Sequence, residues 1–297
     1  MRTSLLSLLF LLLFQPAASA QKLDDAIALY RTGDTEGAIA MLEPLADRGN
    51  RDAAYTLGVI YDNRPPSTRD AAIAAEWYRR AGEAGSSDGL LRYARMLDEG
   101  DGVPEDAREA VEIYKRLRKK RSDYTATRYA ALHLGTHYRS GRGVDRDVPK
   151  AMKLFKEATR SKELADIEPK IMGQLALADI YLQGDGVPAD TAKAIEHLGG
   201  ASTAGPGPHL CDLIGLLEAH PDYVRDPNEI EMWQTVSDEA RVCPIAGARN
   251  DNSEPAMDRD ANDLAYAILG TWAMSGQLSP PLSEEIMNEI AKRAMGR

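Results

Sequence analysis

Cysteine and aromatic residues are scarce in this 297-residue sequence, which has two cysteines, three phenylalanines and an aromatic content of only 6%. The cysteines, Cys211 and Cys243, do not form the Cys-x-x-Cys spacing that is typical of redox-active pairs. A low aromatic content is common in helices that pack through alanine and other small residues. The scarcity of aromatic residues therefore favours an alanine-rich helical protein.

Basic residues are also in deficit, since 36 lysines and arginines stand against 46 aspartates and glutamates, a net charge of -10. Nucleic-acid-binding proteins normally carry the opposite sign, so no nucleic-acid partner is predicted. With 28% charged and 43% hydrophobic residues, the composition is that of a folded domain rather than a disordered chain.

Long apolar runs are absent except at the N-terminus, where residues 5–14 are hydrophobic. Arg2 precedes this run, and Ala18-Ser19-Ala20 follows it as an A-x-A cleavage site, so a signal peptide is predicted over residues 1–20. The run is much shorter than the roughly 20 residues of a membrane-spanning helix. We therefore predict no membrane span after signal cleavage and a periplasmic location, with full secretion as the alternative.

A short pattern recurs along the chain and indicates structural repeats. Leu57 and Gly58 are followed three residues later by Tyr61, and related strings occupy residues 134–138 and 177–181. A Gly-x-Gly-Val string stands at residues 100–103, 141–144 and 184–187. Glycine permits the positive φ with which a chain leaves one helix and turns into the next.

A second register marks the other helix of each repeat. Its positions are Ala38, Ala74, Ala110, Ala151, Ala194 and Ile230. Successive positions lie 36 to 43 residues apart, the length of one helix–turn–helix unit with its connection. Mostly apolar residues three and four positions later complete one helical face. Two-helix units of this length stack as a solenoid.

These strings resemble the repeats of the Sel1-like family, a branch of the tetratricopeptide-type solenoids. Residues 53–205 follow the pattern of this family best, residues 23–49 look more like a plain tetratricopeptide repeat, and the sixth unit has lost its glycine turn. The resemblance implies an adaptor that binds other proteins in an assembly. Some cysteine-rich members are linked to penicillin binding, but the regular cysteine pairs of that subgroup are missing here.

The predicted fold class is therefore all-α, a right-handed helical-hairpin solenoid of about six units with a C-terminal helical cap. The predicted divisions are a signal peptide over residues 1–20, the repeat solenoid over 21–243, a polar loop over 244–262 and a capping helix pair over 263–297. In this arrangement the small residue after the leucine or isoleucine, as at Gly58, Gly135 and Gly215, lets two helices approach closely.

Several strings imitate catalytic or ligand-binding motifs but fit the repeats better. Residues 85–89 match the Gly-x-Ser-x-Gly pattern of a hydrolase, yet they connect two predicted helices. His133 and His137 are too few for a zinc site and are predicted to lie on the surface, while His197 is predicted to be a partly buried packing residue. Residues 98–102 lack the spacing of a calcium loop. No catalytic, cofactor-binding or metal-binding residue is predicted.

A basic run stands out in this acidic chain. Its cations are Lys115, Arg116, Arg118, Lys119, Lys120 and Arg121. One interpretation is a solvated helix end, because cations at a helix C-terminus are favoured by the helix dipole. The other is a binding patch for an acidic protein surface, lipid head groups or an anionic polysaccharide.

Cys211 and Cys243 are predicted to form a disulfide, since oxidation is the default in an exported protein. Cys211 falls near the start of the first helix of the sixth unit, and Cys243 near the end of the second. In an antiparallel helix pair these two ends lie side by side. A redox-active pair is the alternative.

The leading functional hypothesis is a periplasmic scaffold that mediates protein–protein interactions in an envelope, exopolysaccharide or signalling assembly, and not an enzyme. The first alternative is a binder of anionic polysaccharide or peptidoglycan. The second is a hydrolase of cell-wall or β-lactam substrates, for which the sequence supplies no nucleophile paired with a base.

Overall fold

The computed structural model describes residues 15–64, 69–120, 124–160, 167–240 and 242–243. Within these ranges the chain forms twelve α-helices, a short 3-10 helix and no strands, which confirms the all-α prediction. Most of the predicted signal peptide, Arg121, the polar loop over 244–262 and the capping pair over 263–297 lie outside them. Among the helices so described, none is long and apolar enough to cross a membrane.

The chain divides into two compact units, residues 1–146 and 147–297. In the first unit each helix packs against the next one along the chain. Its helices are α1 (Gln15–Arg31), α2 (Thr35–Ala46), α3 (Arg51–Asp62), α4 (Ala71–Glu83), α5 (Ser87–Glu99), α6 (Ala107–Arg118) and α7 (Tyr124–Ser140). The pairs α1–α2, α3–α4 and α5–α6 are three successive hairpins, and α1 runs through the predicted cleavage site.

The second unit follows the same order of packing, each helix against the next. Its helices are α8 (Val148–Ala158), α9 (Ile167–Gln183), α10 (Thr191–Ala204), α11 (His209–Ala219) and α12 (Glu229–Ala240). A 3-10 helix, Pro221–Tyr223, stands between α11 and α12, where the sequence lacks the glycine turn. With α7 and α8 as a pair in sequence, the predicted six units are all accounted for.

Short polar side chains start the helices by accepting hydrogen bonds from backbone amides that have no partner within the helix. Asn50 caps α3, Asp70 caps α4 and Asp106 caps α6 in this way. At the other end of α5, Gly100 adopts a left-handed conformation with φ of 67° and ends the helix. Local sequence therefore sets the starts of α3, α4 and α6 and the end of α5.

The repeated apolar register forms the core, as predicted. Leu57, Leu134 and Leu177 are each at most 1% exposed, and so are the second-helix residues Tyr78 and Phe155. A Cβ atom at Gly58 would lie 2.5 Å from the Tyr78 ring, so this glycine does permit a close helix contact. At Gly215 the same prediction is wrong for the described residues, because this glycine is exposed and none of their atoms lies within 4 Å of the Cβ position.

The second glycine of the Gly-x-Gly-Val turn joins neighbouring hairpins. A Cβ atom at Gly102 would lie 2.2 Å from the carbonyl carbon of Ala71, the first residue of α4 in the preceding hairpin. At Gly143 the Cβ position lies 2.4 Å from the carbonyl oxygen of Ala107, the first residue of α6. Each turn thus lies directly on the start of an earlier helix, where only glycine fits.

Candidate functional site

Two tyrosine–aspartate pairs occupy the same place in successive hairpins. The Tyr78 hydroxyl donates to Asp62 Oδ2 at 3.2 Å, and the Tyr114 hydroxyl donates to Asp98 Oδ2 at 2.9 Å. Burial, followed by the Asp62 charge, raises the pKa of Tyr78 well above its usual value. At the corresponding position of a later hairpin Phe155 has no hydroxyl, so this polar pair belongs to the first unit.

Charged side chains at the turns link one hairpin to the next, with a sign that reverses along the chain. Arg69 donates to Asp62 at 2.8 Å and to Asp101 Oδ1, in the following hairpin, at 2.9 Å. The next turn carries Arg142 where Asp101 stood, and Arg142 donates to Glu105 of the hairpin before it at 3.1 Å. The hydrogen bond from Arg69 lowers the pKa of the Asp101 carboxyl. The turn with Asp101 is therefore held by Arg69 of the hairpin before it, and the turn with Arg142 by Glu105.

His137 lies in the core at a place where other repeats carry an apolar residue. It is only 4% exposed, whereas Ile60 and Met96 stand at the equivalent positions. Its Nδ1 atom lies 2.7 Å from the Arg142 carbonyl oxygen, and its Nε2 atom lies 3.0 Å from Asp98 Oδ2. The predicted surface location is therefore wrong for His137, because both ring nitrogens find polar partners inside the stack.

His133 lies beside this buried group and is only partly exposed, so its predicted surface location is also wrong. Its ring stacks on Tyr114 with the centroids 5.1 Å apart and an interplanar angle of 12°. Its residue surface is only partly in contact with solvent, and most of the ring is surrounded by protein atoms. Burial and then the Arg95 charge lower the pKa of His133 to about 3. Across the described part of the chain, no three His, Cys, Asp or Glu side chains are placed to hold a metal ion.

The lowered pKa of His133 predicts a loss of stability in acid. The ordinary histidine pKa is about 6.5, so between about pH 6.5 and 3 the unfolded chain binds a proton that the folded His133 does not. This stabilising contribution is therefore present above pH 6.5 and is lost as the pH falls. We expect the difference in unfolding free energy between the parent and His133→Gln to shrink from pH 7 to pH 4.

The control for this measurement is His220→Gln, which changes an exposed histidine. Urea unfolding at several pH values measures both variants. The His220→Gln curve is expected to run parallel to that of the parent. A difference for His133→Gln that stays constant over this pH range contradicts the prediction.

The motifs that imitate active sites serve as turns and packing contacts. In the 85–89 string, Ser86 Oγ accepts a hydrogen bond from the Gly89 amide at 3.1 Å and caps α5, which confirms that the string is a connection between helices. His197 is partly buried, lies 2.7 Å from Gln174 Oε1 and stacks on Tyr181, which confirms its packing role.

The basic run forms the end of α6. Lys115 donates to Glu112 at 2.7 Å, and Lys120 reaches the Gly85 carbonyl oxygen at 2.9 Å. Arg116, Arg118 and Lys119 are exposed. The run thus combines cations bound to the protein's own acceptors with a positive surface that faces solvent.

The structure brings Cys211 and Cys243 together. Their Cα atoms lie 5.6 Å apart, within the range of a disulfide, and the Cys243 amide donates to Ser237 Oγ at 3.3 Å. Cys211 is in the first turn of α11, and Cys243 follows the end of α12, so the pair is placed to join the two ends of one hairpin.

We expect no free thiol in mature protein isolated from an oxidising compartment. A bond across 32 positions stabilises the fold by about 3–4 kcal/mol in the chain-entropy model, because it restricts the unfolded chain. Thiol counting on unfolded, unreduced protein measures the number of free thiols directly, with a reduced sample as the control. Two free thiols per chain exclude the bond.

Sequence reasoning missed the tyrosine–aspartate pairs and the charged turns. A signal was present, because Tyr78 follows Asp62 by 16 residues and Tyr114 follows Asp98 by the same number. Two such pairs in one repeat register indicate a shared contact. The roles of Arg69 and Arg142 left no comparable signal, since each acts on a different hairpin.

Comparison with known proteins identifies the repeats. The Sel1 repeat family matches residues 51–86, 87–119, 128–162 and 171–205, which are the units that the sequence pattern marks most clearly. Comparison with curated proteins gives no match.

Among three similar solved structures, one has a TM-score above 0.5 and shares the fold of this chain. A Sel1 repeat protein from Oxalobacter formigenes is 18% identical with a TM-score of 0.56, over 92% of this chain and 99% of that one. A protective antigen of uropathogenic Escherichia coli with an SLR fold is 21% identical with a TM-score of 0.46, over 95% of this chain and 70% of that one. A putative Sel1 repeat protein from Klebsiella pneumoniae is 22% identical with a TM-score of 0.41, over 69% and 92%.

Proposed function

The repeat segment over residues 51–205 belongs to the Sel1 repeat family, and on that premise we propose that this chain is an exported scaffold that binds a protein partner in the cell envelope. Sel1 repeats form helical scaffolds that typically mediate protein–protein interactions. For this chain we assign the cell envelope as the compartment and the exposed cations at the end of α6 as the binding surface. More specifically, we propose that the chain is an adaptor in an envelope, exopolysaccharide or signalling assembly.

The observation that carries the proposal is the use of charged and titratable side chains for contacts within and between hairpins. Asp98 and His137 bond to each other, and Arg69 bonds to two aspartates of different hairpins. Groups that serve elsewhere as acids, bases or ligands here fix the positions of neighbouring helices. Such internal use favours a preorganised scaffold, whose exposed side chains are left for recognition.

Export is supported by two independent features. The N-terminal apolar run with its A-x-A site predicts cleavage before Gln21. The paired cysteines are suited to an oxidising compartment such as the periplasm, with secretion as the alternative. The mass of the mature chain, together with cell fractionation, tests both. A protein retained in the cytoplasm with Met1 in place contradicts export.

The exposed cations at the end of α6 are the surface that we propose for the partner. Arg116 and Lys119 lie one turn apart on an exposed face, where they can meet an anionic surface without loss of core packing. Positive charge of this kind also suits an anionic polysaccharide or peptidoglycan, which is the second candidate. Charge at an interface acts mainly on association rate and specificity.

A pull-down from envelope extract separates the candidates. A protein retained in stoichiometric amount supports the scaffold, while retained glycan supports the polysaccharide binder. Turnover of a β-lactam or cell-wall reporter by the pure protein supports the hydrolase. Retention of none of these, with no turnover, contradicts the proposed partner.

Reversing both charges, as Arg116→Glu with Lys119→Glu, is expected to weaken partner binding about tenfold or more at low salt while leaving helicity unchanged. The matched control is Lys153→Glu with Lys156→Glu, which reverses two exposed charges at the same spacing on α8. Binding titrations with the captured partner compare the two variants. Equal affinity for both variants reduces the run to a solvated helix end.

A further inference from the structure

We propose that Asp98 and His137 form a proton-dependent contact between the third hairpin, α5–α6, and helix α7 that follows it, with His137 held as the imidazolium cation. The contact lies within the first compact unit and joins residues 39 positions apart. His137 is only 4% exposed, so its hydrogen bonds must be made with protein atoms. The chemistry of those atoms determines how many protons the ring carries.

Both ring nitrogens of His137 face hydrogen-bond acceptors. Nδ1 lies 2.7 Å from the Arg142 carbonyl oxygen, which has no hydrogen to donate, so Nδ1 must carry the hydrogen of that bond. Nε2 lies 3.0 Å from Asp98 Oδ2. A neutral imidazole has one N–H group and would therefore direct the lone pair of Nε2 at a carboxylate oxygen. A hydrogen bond at each nitrogen requires a second proton in this pair.

The surroundings of Asp98 place that proton on His137. Tyr114, on α6, donates its hydroxyl hydrogen to Asp98 Oδ2 at 2.9 Å, and this bond favours the ionised carboxylate. Asp98 Oδ1 has no hydrogen-bond partner among the described residues and lies 4.0 Å from Arg142 Nη2, whose positive charge also favours ionisation. The imidazolium and the carboxylate therefore form a charge-assisted pair.

Further titratable groups lie around His137 on α5, on α7 and in the turn that follows α7. His133 stands one turn earlier on α7, and burial, followed by the charges of Arg95 and His137, lowers its pKa to about 3. His133 is therefore neutral near pH 7 and adds no second positive charge. The Arg142 guanidinium bonds to Glu105 at 3.1 Å, which offsets its repulsion of His137. These neighbours are compatible with a single buried cation at His137.

Loss of the proton breaks the contact between α5 and α7. Without it, Nε2 and Oδ2 are two acceptors 3.0 Å apart. Histidine in the unfolded chain releases its proton near about pH 6.5, so a folded state that keeps the proton is stabilised below that pH. This stabilisation is lost as the pH rises, whereas the contribution of His133 is lost as the pH falls. Alkaline conditions are thus expected to loosen the junction after the third hairpin.

NMR of the ring nitrogens in the full mature chain measures the protonation of His137 directly. At about pH 7.5 an ordinary histidine is roughly nine-tenths neutral. Both ring nitrogens of His137 are expected to carry hydrogen at this pH, whereas the exposed His220 serves as the control and is mostly neutral. The ring signals are connected to the assigned backbone. A neutral His137 ring, with one nitrogen unprotonated, overturns the proposal.

A second measurement uses Asp98→Asn, which keeps the shape of the side chain but can donate an amide hydrogen to a neutral His137. The matched control is Glu105→Gln, which removes a carboxylate that bonds to Arg142 instead of His137. Urea unfolding gives the ratio of the unfolding equilibrium constants of variant and parent. From about pH 6 to about pH 9 this ratio is expected to fall about tenfold or more for Asp98→Asn and to stay constant for Glu105→Gln. A ratio for Asp98→Asn that is constant or rises with pH overturns the proposal.

Discussion

Gly102→Ala destabilises the protein by about 2–5 kcal/mol. Gly102 has φ of +73°, a conformation that costs other residues roughly 1–2 kcal/mol. The new methyl group would also lie 2.2 Å from the carbonyl carbon of Ala71, so the backbone of the turn or of α4 must move, at a cost of about 1–3 kcal/mol. The conformational and steric costs add, because Gly102 has a positive φ and also lies against the first residue of α4.

Gly33→Ala is the matched control for this prediction. Gly33 has φ of +93°, but none of the described atoms lies within 4 Å of its Cβ position. Its replacement therefore retains the conformational cost of about 1–2 kcal/mol and lacks the steric one. Urea or thermal unfolding of both variants gives the difference. If both changes cost the same, the turn does not seat on α4 as described.

Asp98→Ala destabilises the protein by about 2–5 kcal/mol, since it removes a buried carboxylate with which neighbouring buried polar groups form hydrogen bonds. The Asp98 side chain is 12% exposed. It accepts hydrogen bonds from Tyr114 at 2.9 Å and approaches His137 Nε2 at 3.0 Å, and the Arg142 guanidinium bonds to its backbone carbonyl oxygen. Loss of the carboxylate removes the acceptor of the Tyr114 hydroxyl and the partner of His137 Nε2 in the core.

Glu105→Ala is the control for this second prediction. Glu105 also bonds to Arg142, but its side chain is 60% exposed, so its removal is expected to cost less than about 1 kcal/mol. Unfolding free energies of the two variants at pH 7 measure the contrast. A cost for Asp98→Ala as small as that for Glu105→Ala would show that the buried contacts contribute little.

The sequence alone predicts the features that depend on residues close together along the chain. The helix starts observed in the structure also depend on local sequence, because the side chains of Asn50, Asp70 and Asp106 cap amides two or three residues away. The apolar register predicts the buried face of each helix, since a helix brings residues three and four apart onto one side. The position of Cys211 and Cys243 follows from the same hairpin geometry.

Tertiary structure decides the features that depend on which hairpin lies next to which. His137 occupies an apolar position of the repeat, and only the approach of Asp98 from the preceding hairpin makes it a core residue. The reversal of charge between Asp101 and Arg142 acquires meaning only through their partners in the hairpin before. The register along one helix is a property of local sequence, whereas the contact between hairpins combines side chains roughly 30 to 45 positions apart, which no periodicity within a helix encodes.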